Sequence, residues 1–199
     1  MKLYDMALSG NCYKVRLMLA LLGLDYDSRP ISLRAGENRT PEFLSMNPLG
    51  KIPVLDDDGF IIRDSQAILV YLAAKHGGLQ WWPDDAAGQG EVTQWLSFAA
   101  NEIWSGCAIA RAIPKFNRQG DLAAAQAIAR AALAILEGRL RDHDWLALGR
   151  PTIADIACYP YAALVWEGGV RLDPYAAIGA WFKRIRELPG YVGMAGLGD

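Results

Sequence analysis

Hydrophobic and polar positions follow two different rhythms along this chain. Residues 3–6 form a short apolar run, and the stretch 12–23 is apolar nearly all round, the pattern of a strand leading into a helix buried on most sides. Gly23 stands where a C′ glycine ends a helix. An extended pattern resumes over 26–31, so the three pieces read as a strand–helix–strand unit whose crossover implies parallel pairing. Thr40-Pro41-Glu42 signals a helix start, with Thr40 as cap and Pro41 at the first helical position. The turn cluster Asn47-Pro48-Leu49-Gly50 keeps that helix short. Two apolar runs, 52–55 and 60–63, then flank Asp56-Asp57-Asp58-Gly59, and Asp-Gly between such runs predicts a hairpin. Pro53 cannot donate to a ladder, which assigns it to a strand's start or edge and makes the Ile52–Pro53 bond a candidate for the cis form. Residues 65–76 give one more helix, closed by Gly77-Gly78.

The rhythm changes after residue 78. Residues 78–90 are rich in Gly, Pro, Asp and Ala and hold Trp81-Trp82-Pro83, so they read as a linker whose aromatics pin two halves together. Beyond it the spacing is helical throughout, over 91–116 and 121–142. Thr152-Ile153-Ala154-Asp155 places a hydroxyl at an N-cap and a carboxylate three residues on, a capping box with Asp in place of the usual Glu. The helix it opens is expected to run to Trp166 and to end at Gly168-Gly169. Pro174 begins another through Ile185, and Leu188-Pro189-Gly190 leads into a loose tail. The expected organisation is an α/β domain over 1–77, a linker over 78–90 and an all-helical domain over 91–199.

Composition narrows the partners. A chain of 199 residues with 52% hydrophobic and 21% charged residues can bury a sizeable core without staples. A formal net charge of −2 supplies no basic excess, which sets aside nucleic acid and anionic membrane surfaces. Cys12, Cys107 and Cys158 are odd in number and lack metal-ligand spacing, as suits a reducing compartment, and the latter two read as small core residues. No signal-type segment opens the chain and no stretch approaches the ~18 apolar residues of a membrane span, so the cytoplasm is the expected location.

The candidate chemistry sits at two helix starts. Ser9-Gly10-Asn11-Cys12 follows the first strand, and Asp64-Ser65-Gln66-Ala67 follows the hairpin; Lys51-Ile52-Pro53-Val54 lies between them. A helix start offers unpaired backbone N–H groups to an anion. Ser9, Asn11 and Ser65 serve equally well as ordinary caps. Thr152 and Asp155 are read as structural, and His76 and His143, near helix ends, carry no chemistry.

The order of elements, together with the segments 9–16, 47–55 (Asn-Pro-Leu-Gly-Lys-Ile-Pro-Val-Leu), 64–68 (Asp-Ser-Gln-Ala-Ile) and 152–155, resembles the serine-type, bacterial-like cytosolic glutathione S-transferases. These segments span most of the chain. The resemblance implies a thioredoxin-like N-terminal domain, an all-α C-terminal domain, a homodimer, and glutathione as co-substrate without a metal. Carried over to this sequence, Ser65 holds the γ-glutamyl carboxylate, Asp64 reads the amine, and Ile52, before Pro53, pairs its backbone with the cysteinyl part. Lys51 sits near the glycyl carboxylate. Ser9 occupies the position that stabilises thiolate, since a hydroxyl hydrogen bond and the positive end of a helix both favour a charged sulfur. Asn11 is the second candidate donor. Cys12 is the third candidate, three residues later than the nucleophilic cysteine of glutaredoxin-like relatives.

The second substrate is expected between the domains, lined by Ala7 and Leu8 and by Trp104, Ile109, Arg111, Ile113 and Phe116, with Trp166 closing the pocket from a later helix. Such a cleft suits a small hydrophobic electrophile, aromatic or α,β-unsaturated, with or without an acidic group. The implied activity is conjugation of glutathione to that electrophile, the chemistry of detoxification. Three other readings stay open: isomerisation of maleylacetoacetate type, whose Ser-Ser-Cys start is matched here only in its leading serine; disulfide exchange through Cys12 or Asn11; and a non-catalytic binding or assembly module on the same scaffold.

Overall fold

A computed structural model describes residues 1–197; the last two residues of the expected helical half lie outside that range. Strand β1 (Lys2–Asp5) pairs parallel with β2 (Asp27–Pro30) and antiparallel with β3 (Val54–Asp57), and β3 pairs with β4 (Phe60–Arg63) in one mixed sheet of order β2-β1-β3-β4. The parallel pair is the one the crossover through α1 (Gly10–Leu21) requires. In the hairpin Asp58 and Gly59 both take positive φ, 52° and 94°, as Asp-Gly permits. Thr40 caps α2 (Pro41–Met46), its hydroxyl accepting from the Phe43 N–H. Helix α3 (Ser65–Leu72) runs on through a wide turn to Gly77.

The second half is helical. Within the expected linker lie α4 (Gly78–Trp81) and the first turn of α5 (Ala86–Phe98). Helix α5 starts earlier than the apolar spacing predicts because Asp85 caps it, its carboxylate accepting from the Gly88 N–H at 2.8 Å. It continues through a π-helical segment, Ala99–Ala108, into α6 (Ile109–Phe116), so the expected helix over 91–116 is one long rod with a wide middle. Helix α7 (Leu122–Asp142) is capped by Asp121, and α8 (Ile153–Ala163) and α9 (Ala176–Arg186) complete the half. Helix α8 stops short of the expected Trp166: the chain tightens into a 3₁₀ turn over Val165–Gly168. The tail is pinned, contrary to the expected loose end. The Tyr13 hydroxyl donates to the Val192 carbonyl at 2.7 Å, and the Tyr191 and Tyr159 hydroxyls meet at 2.9 Å.

One apolar core runs through both halves, with Tyr13 and Leu17 of α1, Leu69 of α3, Ile103, Leu133, Ile156 and Trp181 in a single cluster. Helix α8 lies at its centre, with every one of its residues buried. The capping box forms as expected: the Thr152 hydroxyl accepts from the Ala154 N–H, and Asp155 accepts from the Thr152 N–H at 2.9 Å. The second Asp155 oxygen accepts from the Leu146 N–H at 3.1 Å and the Trp181 indole N–H at 2.9 Å. Burial pushes this carboxyl up to about 6 against the pull of those donors. Cys107 and Cys158 are buried, as expected of core residues.

Candidate active site

The turn between β1 and α1 is held from beneath by charge. Asp5, nearly buried, pairs with Arg16 Nη1 at 2.5 Å, and the same guanidinium donates to the Ala7 carbonyl at 2.8 Å. The Ser9 N–H donates to the Met6 carbonyl at 2.9 Å, closing the turn. Ser9 is the extended N-cap of α1, and its hydroxyl oxygen accepts from the Cys12 N–H at 3.3 Å. A hydroxyl that accepts in this way keeps its own O–H as a donor. The cap therefore leaves the Ser9 O–H free to donate elsewhere.

Ser9 opens on a cleft of about 970 Å³, bounded by this turn, the loop after β2, the loop over 50–52 and the rod from Trp104 to Phe116. Of the residues singled out from the sequence, Leu8, Ser9, Asn11, Lys51, Ile52, Trp104, Arg111 and Phe116 line it. Ala7, Pro53, Asp64, Ser65, Ile109, Ile113 and Trp166 are not in its wall. Ala7 gives its carbonyl to Arg16 instead, and Pro53 is buried behind Ile52, the two joined by a cis bond. The loop presenting Lys51 and Ile52 is tied by two asparagines. Asn47 Nδ2 donates to the Lys51 carbonyl at 2.6 Å, and Asn38 Nδ2 donates to the Gly50 carbonyl at 2.7 Å. Gly50, at φ 60°, has the Arg39 guanidinium where a side chain would stand.

At the second helix start Asp64, and not Ser65, is the N-cap of α3. Its Oδ1 accepts from the Gln66 and Ala67 N–H groups at 2.9 and 3.2 Å. Its φ of 76° is a left-handed conformation costing a non-glycine residue about 1–3 kcal/mol, the kind of strain that collects at ligand clamps. Ser65 is the first helical residue, nearly buried, and its hydroxyl donates to Gln66 Oε1.

Three residues from the helical half or beneath the site complete the surroundings. Tyr161 of α8 seats its ring on Gly10, where a Cβ would lie 2.6 Å from the ring, so only glycine fits at the start of α1. The ring also meets Trp104 edge-on at 5.9 Å, and both line the cleft. Burial raises the Tyr161 phenol's pKa, opposed by the Asn11 backbone N–H. Lys14, buried one turn along α1, holds Nζ 5.4 Å from the Tyr161 ring centre. Burial brings it down to about 8, with Cys158 and Asp64 pulling the other way. Arg111, 2% exposed, joins the halves: Nε pairs with Glu167 and Nη1 donates to the Leu8 carbonyl at 2.9 Å. Its Nη2 is buried without a hydrogen-bond partner. Lys115 takes the other Glu167 oxygen at 2.7 Å. Burial pushes the Glu167 carboxyl up, but Lys115 and Arg111 more than offset this and hold it below its ordinary range.

Trp166 is displaced from its expected role. It is 53% exposed, donates its indole N–H to the Gly196 carbonyl, and lines a separate cavity of about 230 Å³ beside Leu197. Successive residues of a 3₁₀ turn point about 120° apart, so Glu167 facing Arg111 turns Trp166 away. Cys12 is fully buried and burial pushes its thiol up to about 12, which leaves it neutral and outside the cleft wall. Tyr161, Asn38 and Asn47 are the contributors that sequence reasoning misses.

This geometry belongs with a known set of proteins. The family description "Glutathione S-transferase, N-terminal domain" matches residues 3–80, and "Glutathione S-transferase, C-terminal domain" matches residues 102–189. Glutathione S-transferase GstB of Escherichia coli (strain K12) is 30% identical over 189 residues, covering 91% of this chain and 90% of the relative. Among solved structures, a glutathione S-transferase from Pseudomonas fluorescens superposes with a TM-score of 0.92 at 36% identity, covering 98% of both chains. A glutathione transferase homologue from Drosophila mojavensis with bound glutathione gives 0.84 at 28% identity, covering 94% of this chain and 88% of that one. The chain belongs to the glutathione S-transferase family, with the thioredoxin-like first domain and helical second domain of that fold.

Proposed function

We propose that this protein binds glutathione against its N-terminal domain and conjugates the thiolate to a small hydrophobic electrophile on the helical side of the same cleft. The observation that carries the reading is the Ser9 hydroxyl. Its oxygen caps α1 while its O–H stays available, at the positive end of a helix and in the wall of a cleft large enough for two ligands. In this reading Ser9 donates to the sulfur, which favours thiolate over thiol and releases the proton to solvent. Asn11 is the second donor. Ile52 pairs with the cysteinyl part, Lys51 meets the glycyl carboxylate, and the strained start of α3 receives the γ-glutamyl end, with Ser65 on the carboxylate and Asp64 on the amine. Trp104, Phe116 and Leu8 give the electrophile an apolar wall. The protein is proposed to act in the cytoplasm as a homodimer.

Disulfide exchange through Cys12 is disfavoured, because a buried neutral thiol neither attacks nor is reached. The conjugation reading is tested by titrating reduced glutathione into the wild type and Ser9→Ala while following thiolate absorbance and melting temperature. Thiolate absorbance that grows in the wild type and weakens in the variant supports it. Absence of both signals in the wild type favours a non-catalytic module.

A further inference from the structure

The charged side chains in the cleft wall are all cationic: Arg34, Lys51, Arg111 and Arg118. Among the described residues, no aspartate or glutamate joins them there. Glutathione does not use this charge up. It brings two carboxylates, one amine and, once ionised, a thiolate; in the assignment above Lys51 and the start of α3 take the carboxylates, Asp64 takes the amine, and Ser9 with the positive end of α1 takes the sulfur. Arg34, Arg111 and Arg118 are then left over. Arg34 and Arg118 are exposed and, among the described residues, have no ion-pair partner.

Arg111 gives the excess a fixed place. Two cations, Arg111 and Lys115, share the single carboxylate of Glu167, so this cluster keeps a net positive charge at the helical wall. The guanidinium cannot move to find more partners, since Nε is held by Glu167 and Nη1 by the Leu8 carbonyl. Nη2 stays buried with no acceptor, an arrangement that costs free energy unless something supplies one. The Phe116 ring, 44% exposed, lies 5.3 Å from the guanidinium carbon, and Arg118 follows it in the chain. The surface beside these cations is apolar, with Trp104, Ala108 and Ala112 in the wall.

We propose that the electrophile is an anion, an aromatic or unsaturated acid whose carboxylate pairs with Arg111 Nη2 and Arg118 while its body lies against Trp104 and Phe116. This rests on the transferase reading and deepens it by naming the substrate class. Nη2 is buried, so this pairing requires a neighbouring side chain to move, and the half-exposed Phe116 ring, 5.3 Å from the guanidinium carbon, is the one proposed to do so. A planar guanidinium suits a planar carboxylate, and a partly desolvated pair of this kind is stronger than its surface equivalent.

The test uses two matched electrophiles, 4-chloro-3,5-dinitrobenzoate and its methyl ester. With either, glutathione thiolate forms a C–S bond at the chlorinated ring carbon, the C–Cl bond breaks, and chloride leaves with the bonding pair. Each kcat/KM is divided by the uncatalysed rate constant with glutathione, which cancels intrinsic reactivity. The acid is expected to be favoured over the ester by about tenfold or more, the value of one charge-assisted hydrogen bond. Added salt and Arg118→Gln, a change at an exposed position, each bring that ratio towards one, and Arg111→Lys lowers it while keeping the charge that faces Glu167. Equal corrected rates for acid and ester overturn the assignment, as does an acid preference that salt and both variants leave untouched. If neither electrophile reacts, the inference falls, and the thiolate titration then says whether the transferase reading falls with it.

Discussion

Helices α1 and α8 begin with the same device, a hydroxyl at the N-cap, and put it to different uses. At α8 the Thr152 hydroxyl and the Asp155 carboxylate face inward, both fully buried, and the carboxylate accepts from the Thr152, Leu146 and Trp181 N–H groups. At α1 the Ser9 hydroxyl accepts one long bond from Cys12, is only partly buried, and fronts the cleft. The difference lies in what surrounds each cap. Where the neighbours satisfy every donor and acceptor, the cap is part of the core; where one donor is left over beside a cavity, the cap can serve a ligand. The two starts also touch, because Tyr161 of α8 seats on Gly10 of α1.

Removal of Asp155 should unbalance the buried cap of α8 most. Asp155→Ala leaves the Leu146 and Trp181 N–H groups buried and unpaired, and is expected to cost about 3–5 kcal/mol. For a chain of this size that lowers the melting temperature by roughly 10 °C, measured by thermal unfolding. A variant that melts like the wild type would show that α8 does not depend on its cap.

Ser9→Ala should do the reverse. Loss of the cap costs about 1 kcal/mol of stability, while glutathione conjugation falls about 10²-fold, the equivalent of losing one charge-assisted hydrogen bond to the sulfur. Steady-state turnover beside the melting curve separates the two effects. An unchanged rate would move the donor role to Asn11, and an Asp155-like loss of stability would make Ser9 a structural cap as well.

Why one start could be read from the sequence better than the other follows from locality. The capping box, the Thr40-Pro41 start and the Asp-Gly hairpin are each decided by residues within a few positions, so they were legible. Ser9, Asn11, Lys51 and Ile52 were legible as cleft residues because motif spacing carries a resemblance across the chain. Tyr161 was not, since it lies in an apolar run where nothing marks one aromatic as facing a cavity. Trp166 was misplaced because the helix tightens after Leu164 without a glycine or proline to announce it. The cap of α3 falls on Asp64 where the sequence also suited Ser65, a one-residue difference on the scale at which helix ends are least defined.

A cap placed on Asp64 narrows the expected role of Ser65. With Asp64 as cap, Ser65→Ala leaves the Gln66 and Ala67 bonds intact, so its melting temperature should stay close to that of the wild type. Glutathione affinity, measured by calorimetry, should weaken about tenfold through the lost hydroxyl. A loss of stability with affinity retained would remove Ser65 from the ligand contacts.

Where the two helices meet, at Lys14, the expected effect depends on pH. Its ammonium is buried between α1 and Tyr161, and the folded state loses the proton near pH 8 while the unfolded chain keeps it to about 10.5. Between those values the unfolded state binds more protons, so this group makes the protein more stable as pH rises from 8 to 10.5 and withholds that stability below 8. The drop from 10.5 to about 8 limits this effect to about 3 kcal/mol at most. Lys14→Met should therefore be more stable than the wild type at pH 7, by no more than that limit, with the advantage fading towards pH 10. Paired denaturant titrations at the two pH values measure it. An advantage that did not change with pH would mean that Lys14 keeps its proton throughout, held by the Tyr161 ring more firmly than burial opposes it.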